Sequence, residues 1–197
     1  MQRQNLTSRV RVVTAVVSLK PGSAVGGAKS PGENDNLEET TMGVATTLQD
    51  YLESRGIAYD VVEHPHTNSA MRAAEAAHVP GDQVAKPVLL GDDDSYLLAV
   101  IPATHRLELD RINQTMARSL EMLPEDEIEA TFSDCERGAI PAIGEPYGVD
   151  VVVDPALIQQ PEVYFESGDH EHLIHVHGDV FRGLMEDVPR VHLSHHL

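Results

Sequence analysis

Two apolar runs and the short acidic segment between them constrain this chain most. Residues 84–90 read Val84-Ala85-Lys86-Pro87-Val88-Leu89-Leu90, and residues 96–102 read Tyr96-Leu97-Leu98-Ala99-Val100-Ile101-Pro102. Gly91-Asp92-Asp93-Asp94-Ser95 joins them. Each run has strand length and ends at turn formers, so the pair predicts a β-hairpin. Lys86 lies inside the first run, and from Met42 onward it is the only lysine. Its amine must either snorkel out at the strand end or stay partly desolvated, which lowers its pKa and sharpens its pull on anions. A half-exposed lysine at a strand start, with Pro87 marking an edge position, fits the same residues.

The remaining periodicities surround this hairpin with alternating element types. Thr46-Thr47 is a candidate N-cap for a helix carrying Leu48, Tyr51 and Leu52, stopped by Gly56. Residues 57–63 alternate as a strand, and His64-Pro65-His66-Thr67 is a turn. Asn68 or Ser69 then caps an Ala-rich helix over 70–78, closed by Pro80-Gly81. Leu109, Ile112, Met116 and Leu120 share one helical face, and a short acidic helix follows over 124–129. Residues 132–144 have no period and are rich in turn formers, which predicts an ordered loop. Strands recur at 149–153, 163–166 and 173–176, with helical turns beginning at Asp154-Pro155 and Gly178-Asp179. Helices and strands mix without a strict βαβ repeat, so the expected fold is a compact α/β domain with a mixed sheet rather than a doubly wound one.

With 197 residues and an apolar fraction of 41%, the chain suffices for one domain with one real core. That domain is expected over 42–188. Residues 1–41 contain a Gly/Pro/Ser-rich stretch over 21–32 that buries too little apolar surface to order itself, so they are expected to form a disordered extension. Met42-Gly43 and the helix signal after it lead us to expect the functional chain to begin there. Residues 189–197 are expected to be a polar, histidine-containing tail. Acidic residues number 32 against 14 Lys+Arg, a formal charge of −18. That balance excludes broad electrostatic binding to DNA, RNA or an anionic membrane, and any nucleic-acid contact must be local. It also suits a cytoplasm of high ionic strength. Cys135 is the sole cysteine, no apolar run spans a bilayer, and polar residues interrupt the apolar part of 9–19, so a cytoplasmic location is expected.

Among chemistry-bearing groups, Gly138 followed by two small or apolar residues and Pro141 can present backbone N–H groups on a stiff turn, as an oxyanion or phosphate requires. A plain structural turn fits the same motif. Four histidines at 170, 172, 175 and 177 pair by alternation, but residues 172 and 175 differ by an odd number. Alternation therefore puts the two pairs on opposite faces, arguing against one four-histidine metal site and for solvated histidines. Cys135 lies between Asp134 and Glu136, which raise a thiol's pKa and make it a poor nucleophile. No nucleophile elbow, P-loop, dinucleotide fingerprint or paired-cysteine motif is present.

Taken in order, Val61-Val62-Glu63-His64 with Thr67, then Gln83-Val84-Ala85-Lys86, the Gly138-x-x-Pro141 loop ending at Gly144, Val151-Val152-Val153-Asp154, and Gly168 ahead of Gly178-Asp179, resemble the YbaK family, the prolyl-tRNA-synthetase-associated editing domain. The resemblance covers about residues 46–185. It implies an α/β domain with a mixed, barrel-like sheet and a pocket that hydrolyses the ester of a mischarged aminoacyl-tRNA. By it Lys86 matches the functional lysine, and Gly138, Ala139, Ile140 and Pro141 match the loop that holds the aminoacylated adenosine. Ala142 stands where some members carry a second proline. Thr67, Asp134 and His170 are further pocket candidates. The implied partner is the acceptor end of an aminoacyl-tRNA, with Arg72, Arg106, Arg111 and Arg118 as a local basic rim, and a synthetase as a second possible partner. No cofactor or metal is expected. Two other classes fit parts of the sequence: a non-catalytic module binding an adenosine-like ligand or a synthetase, and a histidine-rich metal-binding protein.

Overall fold

The computed structural model of the chain describes Val12–Ala15 and residues 43–197. Two four-stranded sheets carry the fold. The first has the order β1 (Val12–Ala15), β2 (Tyr59–Glu63), β9 (His172–His177) and β8 (Glu162–Glu166), all antiparallel. The second has the order β6 (Glu121–Met122), β3 (Ala85–Gly91), β4 (Tyr96–Pro102) and β7 (Asp150–Val153). Its β3–β4 pair is the hairpin read from sequence, with register running from Ala85↔Pro102 to Gly91↔Tyr96. The β4–β7 pair is parallel, which makes the sheet mixed as expected. The sheets do not merge into a closed barrel. A single bridge, Val84↔Tyr164, joins them among the described residues.

Alternation explains the layers. Leu89, Leu98 and Val100 from the second sheet meet Val61, Val163, Phe165 and Ile174 from the first in one core, closed by Leu48 and Leu52 of α1 (Thr46–Ser54) and Phe181 of α6 (Gly178–Leu184). The opposite face of the second sheet, with Leu90, Leu97, Ala99 and Ile101, packs under Ile112 of α3 (Leu109–Met116) and under Leu193. Helix α2 (Ala70–Ala76) lays Ala73 on Val62 and Leu173 of the first sheet. Two further helices among the described residues are α4 (Glu125–Thr131) and the single turn α5 (Pro155–Ile158). No helix among the described residues is long and apolar enough to cross a membrane.

Four sequence expectations change. Helix α1 has Ala45 at its N-cap, with no side-chain bond from its own segment; Asp134 Oδ2 accepts from Thr47 N at 2.8 Å instead. Helix α3 ends early because Ala117 turns left-handed, φ 51°. Part of the extension expected to be disordered is a strand, since β1 pairs with β2 and covers an edge that would otherwise be open. The rest of residues 1–41, and the expected start at Met42, lie outside the described residues. The 189–197 tail is docked: β10 (Ser194–His196) pairs with β5 (His105–Leu107), and Asp154 Oδ2 accepts from Leu193 N at 3.2 Å and Ser194 Oγ at 2.7 Å.

Candidate active site

Three loops converge at one end of the first sheet. The turn after β2 is tied to the β8–β9 loop by His64 N to Glu171 O at 2.8 Å and Thr67 N to His170 O at 3.1 Å. The glycine loop is tied to the same place by Glu136 N to Gly168 O at 2.7 Å. Gly138 stands exposed at φ +89°, where a side chain would be strained whatever the space. His170 itself adopts φ 62°, a left-handed conformation that costs energy in any residue but glycine. Beside these loops lies a cleft of about 400 Å³ whose lining includes Asp134, Glu136, Gly168 and Asp169.

The protonation pattern of this cluster follows from its partners. A carbonyl only accepts, so the bond between His170 Nε2 and Arg137 O, 2.8 Å, places a proton on Nε2. In the neutral ring Nδ1 is then a bare acceptor, and it is buried with no hydrogen-bond partner among the described residues. Thr67 Oγ1, a hydroxyl that can donate or accept, and His64 Nε2 are likewise buried without a partner among the described residues. His64 donates from Nδ1 to Pro65 O at 2.9 Å, and burial holds its pKa below the ordinary histidine value. Asp169 braces the β8–β9 loop: Oδ1 accepts from Glu171 N and His172 N at 3.0 Å and from Ser167 Oγ at 3.1 Å, while Oδ2 lies 2.6 Å from His172 Nδ1. That last contact raises the His172 pKa against the opposing effect of burial.

Thr67, Gly138 and His170 therefore come together as a group. Ala139, Ile140 and Pro141 are buried behind them, and Ala139 N is spent on a turn bond to Glu136 O at 2.9 Å. Since proline has no N–H, the loop's amides reduce to Gly138 and Ile140 as donors for a ligand. Asp134 is at the rim as the cap of α1. Lys86 stands apart. It is paired with Ile101, on the face of β3 that packs under α3, whereas Ile140 and Ala142 pack with Leu89 and Leu98 on the other. Its half-buried amine donates to the carbonyls of His105 and Ala103, and burial lowers its pKa.

Two of the four arginines read as a rim are committed elsewhere. Arg118 clamps Asp92 through two 2.7 Å bonds, and Arg111 Nε is 2.7 Å from Glu108. Arg72 and Arg106 remain exposed. A larger hollow of about 800 Å³ near the hairpin turn is lined by Asp92, Asp93, Asp94, Glu121 and Glu127, a charge pattern that repels phosphate. Burial pushes the Cys135 thiol up to about 12, leaving little thiolate at neutral pH. His64 enters the sequence reading as a turn residue and a member of the family motif, with no role of its own. Alternation assigns Glu166 to the outward row with Glu162 and Tyr164, although it is 4% exposed.

Residues 64–184 match the aminoacyl-tRNA editing domain family. None of the curated proteins matches the chain. Among solved structures, a candidate trans-editing enzyme for prolyl-tRNA synthetase is 23% identical with a TM-score of 0.68, covering 77% of this chain and 96% of its own. A structure from a study of computational epitope grafting onto scaffold proteins is 24% identical with a TM-score of 0.67, covering 78% and 97%. A hypothetical protein at 17% identity has a TM-score of 0.67, covering 76% and 99%. At these identities the likenesses establish the fold.

Proposed function

Because the chain belongs to the aminoacyl-tRNA editing domain family, we propose that it is a trans-acting deacylase that hydrolyses the ester of a mischarged aminoacyl-tRNA. The observation that carries this reading is the convergence of Gly138, His170 and Thr67, with His170 Nδ1 and Thr67 Oγ1 buried and unpartnered among the described residues beside an exposed glycine turn. Such an arrangement suits a polar substrate that supplies the missing hydrogen bonds.

An aminoacyl ester is reactive enough to be cleaved by orientation and charge stabilisation without a protein nucleophile. In the proposed step, His170 Nδ1 takes a proton from a water whose oxygen forms a bond to the ester carbonyl carbon. The amides of Gly138 and Ile140 hold the resulting oxyanion. The bond from that carbon to the ribose oxygen then breaks, and the proton passes from His170 to the ribose oxygen. Free amino acid and uncharged tRNA leave. Thr67 orients the water or the substrate's neighbouring hydroxyl. Lys86, on the other face of β3, adds positive potential at a distance rather than a direct contact to substrate; its carbonyl partners orient the ammonium without neutralising it. Arg72 and Arg106 supply local contacts to the acceptor end.

The test is deacylation of a panel of mischarged tRNAs, including alanyl- and cysteinyl-tRNA for proline, by the intact protein and by His170→Ala and Lys86→Ala. Hydrolysis of at least one member is expected, with kcat/KM falling by about 10²–10³ in His170→Ala. A similar fall in Lys86→Ala, despite its place on the other face of β3, establishes its electrostatic role. Failure to hydrolyse any member overturns the deacylase reading, and full activity in both variants overturns the residue assignment.

A further inference from the structure

The outer face of the first sheet, beyond the area that α2 covers, carries a second group of convergent side chains. Strand register places them there: Glu162 pairs with His177, Tyr164 pairs with His175, and Asp60 pairs with His175 from the other side. His175 Nε2 lies 2.8 Å from Glu162 Oε2, and His177 Nδ1 lies 3.0 Å from the same oxygen. One potential ligand atom from each of Glu162, His175 and His177 falls within 4.8 Å of the others, and no other trio of this kind occurs among the described residues. We propose that Glu162, His175 and His177 form a site for a divalent transition metal, with zinc as its ion.

The chemistry of the set supports a metal in three ways. Two imidazoles and one carboxylate are a common donor set for zinc when the fourth position is left to water. The His177 side chain is 71% exposed, which leaves one side of the group open to water. With zinc–ligand distances near 2.0–2.1 Å, tetrahedral ligands stand roughly 3.4 Å apart. The two histidine contacts to Glu162 Oε2, at 2.8 and 3.0 Å, are shorter than that and all three ligand atoms lie within 4.8 Å of one another, so a small rearrangement of the group accommodates the ion.

The third point is orientation. His175 Nδ1 faces Asp60 Oδ2 at 3.3 Å, the arrangement in which a carboxylate behind a histidine fixes the proton on Nδ1 and directs the Nε2 lone pair at a metal. Tyr164 stacks on the same ring, with centroids 4.6 Å apart and planes inclined by 18°. His175 is thus held from behind and from its face, whereas the His177 side chain is 71% exposed and free to swing onto the ion. Each ring nitrogen of His175 faces a carboxylate, Nδ1 that of Asp60 and Nε2 that of Glu162. A cation in place of the Nε2 proton satisfies the same geometry. The bound ion would join the start of β8 to the end of β9, immediately before α6.

This inference does not depend on the deacylase reading. It is tested with the untagged full chain, stripped with a chelator and titrated with Zn²⁺ by calorimetry, and with Co²⁺ to report coordination through its visible absorption. One equivalent of Zn²⁺ is expected, with a Co²⁺ spectrum of low coordination number and a rise in Tm on binding. His177→Ala should keep the metal-free Tm and lose that rise. Glu162→Gln should lose the stoichiometric site, and Asp60→Asn should weaken it by about 10–100-fold. A His195→Ala/His196→Ala variant should bind as the parent does. Absence of saturable binding, or a full equivalent retained by both His177→Ala and Glu162→Gln, overturns the proposal and leaves an ion-pair cluster in its place.

Discussion

Glu166 ends β8 with its side chain 4% exposed and Oε2 without a hydrogen-bond partner among the described residues. Burial, with the Asp169 charge adding to it, pushes its pKa up to about 8. Between the ordinary glutamate value and that pKa the unfolded chain has released this proton while the folded chain keeps it. The unfolded state therefore binds fewer protons, and the Glu166 contribution makes stability fall as pH rises from about 4.5 to about 8. The whole shift corresponds to roughly 3–5 kcal/mol. Glu166→Gln cannot ionise, so its stability relative to the parent is expected to improve by a few kcal/mol between pH 5 and pH 8.5 in urea melts. A difference between the two proteins that does not change with pH would sink this account. His172 acts in the same direction: its raised pKa gives a contribution that is present below pH 6.5 and lost as pH rises through the folded value.

At the scale of elements, α1 begins where a residue of the glycine loop tells it to. Asp134 Oδ2 accepts from Thr47 N, and burial's upward push on the carboxyl is outweighed by the Thr47 bonds, which leave its pKa lowered. Asp134→Ala is expected to cost about 1 kcal/mol through the lost cap. If Asp134 works only as a cap, kcat on a deacylation substrate stays at the parental level; a fall in kcat beyond the stability change would place it in the pocket. This bond also marks the limit of reading by pattern. The β3–β4 hairpin, the start of α3 and strands β7 to β9 are legible because their periodicity is local. The Asp134 cap spans 87 positions in sequence, and β10 exists because Leu193 is buried and Ser194 reaches Asp154, partnerships no window contains. The site divides the same way. Gly138 was legible as a turn glycine, whereas the meeting of His170 with Thr67 needs the β2–β9 register. The placement of Lys86 on the other face of β3 follows from strand parity only once its partner Ile101 is known.

The charge of the whole molecule sets two salt dependences that run in opposite directions. A formal charge of −18 makes the folded state repel itself, and raising ionic strength from 0.1 M to 1 M shortens the screening length from about 10 Å to about 3 Å. Tm is therefore expected to rise with KCl over that range. Binding of tRNA should weaken over the same range, but gently, because of the four rim arginines only Arg72 and Arg106 stay available for phosphate once Arg111 and Arg118 are engaged by Glu108 and Asp92. Two contacts to a single-stranded acceptor end give a slope of about −1.4 in log K against log salt. Fluorescence titration of labelled tRNA across KCl concentrations measures that slope, and Arg72→Ala with Arg106→Ala should bring it close to zero. A slope several times steeper would require a broad cationic surface that this composition does not provide, and would transfer tRNA recognition to a partner protein bound in the assay. A slope near the expected value explains how so acidic a chain acts on a polyanion: it touches only the end that carries the ester.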